Sequence, residues 1–129
     1  MKLVISGGKI VELGNAVRLF HGTDIESAKY IARFGVSQER IFEISGCDEF
    51  WMTTDSTDAA VFAGMSPIAD GARGVVSFDL PYVTVETCLA SESIEIHDQI
   101  CVQFFPGSFS AINTDRSNVS VVEMNIDFQ

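Results

Sequence analysis

The chain is short of positive charge: eight Lys and Arg stand against eighteen Asp and Glu, for a net charge of −10. Such a surface repels phosphate backbones and disfavours non-specific nucleic-acid binding. The shortage is steepest after residue 73, where Arg116 faces eight acids, while residues 1–73 hold seven basic and ten acidic residues. This balance suits a basic protein partner, or a small ligand held in a local pocket. Cysteine is also scarce. Cys47, Cys88 and Cys101 form no close pair and leave one over, which excludes a disulfide framework or a zinc spacing and predicts three reduced, mostly buried thiols. The two histidines, His21 and His97, are too few to nominate a metal site, so none is expected. No apolar run approaches the ~18 residues that a membrane-spanning helix needs. Met1–Gly8 lacks the length and cleavage pattern of a signal peptide, so a cytoplasmic location is expected.

What the chain does have is apolar bulk. Ten Phe and an apolar fraction of 47% in 129 residues predict one packed domain, residues 1–129, without covalent staples. The segment Arg18-Leu19-Phe20-His21-Gly22-Thr23 reads as a strand that runs directly into a helix over about 24–34. Thr23 and Glu26 have capping-box spacing at its start, and Gly35 gives its stop. Ile25, Ala28, Ile31 or Ala32, and Phe34 make its apolar side. A His at a strand end followed by Gly presents an imidazole and bare backbone to a ligand.

Upstream, residues 1–13 read as a hairpin around Gly7-Gly8. Residues 36–48 read as a polar connection bordering a pocket, Glu49–Thr53 as a short strand, and 57–63 as a helix closed by Gly64. Met65–Arg73 reads as a loop. From Gly74 the pattern is β: 74–80 stopped by Pro81, 83–87 as strand or extended loop, 93–97 alternating, 100–105 central and 119–126 last. Residues 108–112 stay ambiguous. The expected class is α+β, a split, mainly antiparallel sheet with two short helices.

Two strand ends then stand together: His21-Gly22-Thr23, and Phe50-Trp51-Met52-Thr53-Thr54-Asp55 leading into Ala59-Ala60-Val61-Phe62-Ala63. In these motifs and their separation the chain resembles the ADP-ribosyltransferase superfamily, on its diphtheria-toxin-like, poly(ADP-ribose) polymerase-like side. The likeness covers about residues 16–80. It implies NAD+ as substrate. His21 would bond the ribose beside the nicotinamide, the Gly22 backbone would pair with the carboxamide, and Thr23 would complete the motif. Trp51, where the family usually has Tyr, would stack on the pyridinium, with Phe62 closing a sandwich. Flat rings suit that cation.

The family's third strand supplies a Glu beside the developing cation. Here Ser91-Glu92-Ser93-Ile94 nominates Glu92, Val102-Gln103-Phe104-Phe105-Pro106 nominates Gln103, and Glu95 is a further choice. With Gln103 in that position no anion would stand beside the cation, and turnover would be slow or absent. The resemblance thus implies a mono-ADP-ribosyltransferase or NAD+ hydrolase acting on a macromolecular acceptor, of the kind found among toxins, effectors and phage-encoded modifiers of host proteins. The alternative is an acidic interaction module that keeps the fold, has lost turnover and binds a basic protein. A transferase acting on a phosphorylated RNA end would need a basic groove, which the sequence does not offer.

Overall fold

The computed structural model describes residues 3–6, 9–12, 16–64, 72–97 and 101–124. It is an α+β arrangement of a six-stranded antiparallel sheet, a separate hairpin and five α-helices. The hairpin pairs β1 (Leu3–Ser6) with β2 (Lys9–Glu12). Its Gly7-Gly8 turn lies outside the described residues, as do 65–71 of the expected loop and residues 125 and 126 of the last strand.

The large sheet is organised on β3 (Ala16–Asp24), which pairs along its whole length with β5 (Arg73–Pro81). Strand order is β6-β7-β4-β3-β5-β8, with β4 Phe50–Thr53, β6 Ile94–His97, β7 Cys101–Phe104 and β8 Ser117–Met124. The sheet is continuous, yet it narrows at one point: β3 meets β4 in the single registered pair Phe20↔Thr53.

Strand alternation sends Val17, Leu19, Phe78, Leu80, Met52, Val102 and Phe104 to one face, where they are buried. Helix α1 (Ile25–Phe34), α4 (Tyr82–Ala90) and α5 (Phe109–Asp115) cover that face through Ala28, Ile31, Val85, Cys88, Phe109 and Ile112. Helix α3 (Ser56–Gly64) lies on the opposite face. Its approach depends on Gly22. A Cβ there would stand 1.7 Å from the Ala59 carbonyl oxygen, so only glycine lets the helix backbone rest on the strand.

Several expectations need correction. The described residues hold five α-helices in place of two. Residues 38–45, read as a connection, form α2 (Gln38–Ser45), which is capped by Ser37 Oγ on the Arg40 N–H and ends at Gly46 with φ +74°. Residues 83–87 belong to α4: Val83, Thr84, Val85 and Thr87 favour strand locally, but burying Thr84, Val85 and Cys88 on the sheet outweighs that preference. The ambiguous 108–112 falls in α5 and the 3₁₀ turn before it.

Thr23 does not cap α1. It remains in β3, and Asp24 is the cap, its carboxylate accepting from the Ser27 N–H at 2.9 Å. Phe34 is 63% exposed rather than core, because nine residues of helical rotation carry it about half a turn from Ile25. Of the three cysteines only Cys88 is buried, while Cys47 and Cys101 are half-buried.

Candidate functional site

Helix α1 begins where β3 ends, so the turn between them fixes His21, Gly22 and Thr23 at the narrow point of the sheet. Asp24 secures the turn. Burial opposes its charge, yet donors from Ser27 and Thr23 outweigh it and hold the carboxyl below its usual value. Past Phe20↔Thr53 the gap between β3 and β4 is bridged by a side chain: His21 Nδ1 lies 2.6 Å from the Trp51 carbonyl oxygen. A carbonyl only accepts, so Nδ1 carries the proton and Nε2 is left with its lone pair. Burial lowers the imidazole from 6.5 to about 4, against smaller opposing contributions from the Trp51 carbonyl and the Asp24 charge. At neutral pH His21 is therefore an uncharged acceptor in a fixed tautomer.

Two adjoining cavities, of about 260 and 420 Å³, open at this gap and share His21, Gly22, Trp51 and Phe62 in their walls. Small-molecule sites commonly measure about 300–1,000 Å³. Trp51 is 41% exposed and Phe62 43%, so both rings are available to a ligand. Thr23 lines the first cavity as well. All five residues expected to bind the dinucleotide thus meet at one place, although residues 23 and 51 are far apart in sequence. His21 and Trp51 enter from opposite faces of the sheet. The ring packed on His21 is Phe50, with centroids 4.2 Å apart, while the indole turns outward to His97 at 5.1 Å.

The third-strand positions lie elsewhere. Glu92 is exposed in the turn after α4 with φ +60°, and Glu95 is exposed on β6. Gln103 on β7 is in register with both Trp51 and Glu95, and its Oε1 accepts from His97 Nε2 at 2.8 Å. None of the three lines either cavity. The carboxylate that does is Glu49, just before β4.

Sequence reasoning also missed the α1/α2 wall of the first cavity, which carries Ser27, Tyr30, Ser37 and Arg40. The expected pocket border at 36–48 is real, but it is helical. One signal for it was available: Ser27 and Tyr30 stand three apart on α1, one turn beyond the His-Gly-Thr motif. Among the described residues no group of three or more His, Cys, Asp and Glu gathers to hold a metal, and no helix is long and apolar enough to cross a membrane. Comparison with protein-family models finds no match, and comparison with curated proteins finds none either.

Proposed function

We propose that the cavity binds NAD+ and that the protein is a mono-ADP-ribosyltransferase-type enzyme, passing ADP-ribose to a macromolecular acceptor or to water. The observation that carries this reading is the convergence of His21, Gly22, Trp51 and Phe62 on one open cavity. The pyridinium is favoured beside the Trp51 and Phe62 rings, where a cation meets electron-rich faces. His21 Nε2 accepts a hydrogen bond from a ribose hydroxyl, and the Trp51 carbonyl keeps the imidazole in the tautomer that this requires. In the reaction the bond from ribose C1′ to the pyridinium nitrogen breaks, and its electron pair neutralises the departing nicotinamide. The acceptor adds to C1′ and gives up its proton to solvent. Electron-deficient C1′ calls for a nearby anion, and Glu49 is the carboxylate on the cavity wall.

A second reading, a non-catalytic acidic module, is favoured by the position of Glu92, Glu95 and Gln103 away from the cavity. Trp51 is the only tryptophan, so its fluorescence reports on the site directly. Titration with NAD+ and with nicotinamide is expected to perturb that emission, and His21→Ala to weaken NAD+ binding by about tenfold or more. No binding to the wild type, or unchanged binding in the mutant, overturns the NAD+ reading. NAD+ binding without any release of nicotinamide leaves the module.

A further inference from the structure

Among the described residues, Arg40 Nε is a buried polar side-chain atom with no hydrogen-bond partner, and Ser27 Oγ, also buried, makes no well-aligned bond beyond its approach to the Asp24 carboxylate. Both residues line the first cavity, on its α1 and α2 wall. Folded proteins leave few buried polar atoms unpaired, because each costs about 1–3 kcal/mol. An orphaned Arg40 Nε on a cavity wall, with the Ser27 hydroxyl on the same wall, points to an acceptor that a bound molecule supplies. The donor set describes that molecule. Arg Nε–H only donates, and a serine hydroxyl can donate beside it, so the ligand must bring acceptor oxygens.

Arg40 is also the one cationic side chain in the cavity wall, and it makes no ion pair among the described residues, although Glu43 stands one turn along the same helix. Its guanidinium carbon sits 4.3 Å from the Tyr30 ring centroid. Stacking orients the guanidinium plane and leaves its positive charge unneutralised. In a chain of net charge −10, a held and unneutralised cation beside a buried, 4%-exposed serine hydroxyl suits a phosphate oxygen.

We propose that Arg40 and Ser27 form a phosphate subsite that holds the diphosphate of the dinucleotide, with its pyridinium end toward Trp51 and Phe62. The assignment rests on the NAD+ reading above. It also fixes the direction in which the ligand lies, from the α1/α2 wall toward β4 and α3.

The test compares nicotinamide, NAD+ and ADP-ribose on the wild type, Arg40→Gln, Arg40→Lys and Ser27→Ala by calorimetry and Trp51 fluorescence. The backbone N–H groups of Ser27 and Arg40, which serve the two helix caps, remain in every variant. Ser27→Ala removes a hydroxyl that also approaches the Asp24 carboxylate, so it is expected to weaken ADP-ribose while leaving nicotinamide within about twofold. Arg40→Gln should weaken NAD+ and ADP-ribose about tenfold to a hundredfold and leave nicotinamide within about twofold. Arg40→Lys, which keeps the charge and loses the fork, should recover only part of that loss. Equal affinity of wild type and Arg40→Gln for ADP-ribose overturns the subsite. If NAD+ binds the wild type and Arg40→Gln equally, the subsite fails and the NAD+ reading stands. If ADP-ribose binds in an Arg40-dependent way but neither nicotinamide nor NAD+ perturbs Trp51, the NAD+ reading fails and the phosphate site stands.

Discussion

His21 makes the folded protein sensitive to acid in a window of its own. Its folded-state value of about 4 lies below the ordinary 6.5, so as pH falls through 6.5 the unfolded chain takes up a proton that the folded chain refuses. Stability from this group is complete above pH 6.5, declines as pH falls toward 4, and is constant below that. The slope approaches about 1.4 kcal/mol per pH unit, and the whole window is worth about 3 kcal/mol at most, since one edge of the ring faces the cavity. Asp24 works in the same direction at lower pH, because its carboxyl is held below 3.8. The two contributions therefore separate along the pH axis. The assay is urea unfolding at intervals between pH 4 and 7 for wild type and His21→Asn, which removes the titrating ring and keeps a donor for the Trp51 carbonyl. The wild type should lose stability across the window relative to the variant. Parallel curves would refute the half-buried, neutral imidazole, and so would an imidazole nitrogen spectrum showing His21 doubly protonated at pH 6.

Two further outcomes follow from the packing around the cavity. Gly22→Ala forces a Cβ against the Ala59 carbonyl, so α3 must shift and carry Phe62 with it. A loss of about 1–3 kcal/mol in thermal or urea unfolding is expected, together with weaker binding of nicotinamide. Glu49→Gln should lower nicotinamide release from NAD+ by about tenfold or more while NAD+ affinity changes by less than about threefold, as kinetics and fluorescence titration on one preparation would show.

Most of the sheet was legible because its strands carry their own punctuation. Pro81 and Pro106-Gly107 mark strand ends, the alternation read in 93–97 survives in β6, and the apolar run read as a strand over 100–105 holds β7. The helices beyond the first and third were less legible, for different reasons. In α4 three of the first four residues are β-branched, and only the docking of Val85 and Cys88 on the sheet makes the segment helical. In α2 the apolar content is Ile41, Phe42 and Ile44 among charged neighbours, a weak stripe. The cap of α1 moved by one residue because Thr23 and Asp24 are both competent, and the longer β3–β5 ladder, which runs to Asp24↔Arg73, keeps Thr23 in the strand.

The site was legible as two motifs but not as a complete constellation, and strand parity explains the difference. Phe20 pairs with Thr53, so His21 projects to the face of Phe50 and Met52, in keeping with its contact with the Phe50 ring. The register Trp51↔Gln103 and Glu95↔Gln103 places Gln103 and Glu95 on the other face, with Trp51. On the His21 face, β6 and β7 offer Ile94, Ile96, Val102 and Phe104, all apolar. A carboxylate carried by either strand would have to sit at one of these four positions to share that face, and none does. A one-residue slip would reverse this parity, but the apolar set fixes the register, since the slip would also expose the core. The third strand thus brings no anion to the His21 face, and the carboxylate on the wall of the first cavity is Glu49. That makes Glu49, at the mouth of β4, the residue whose neutralisation decides between an enzyme and a binding module.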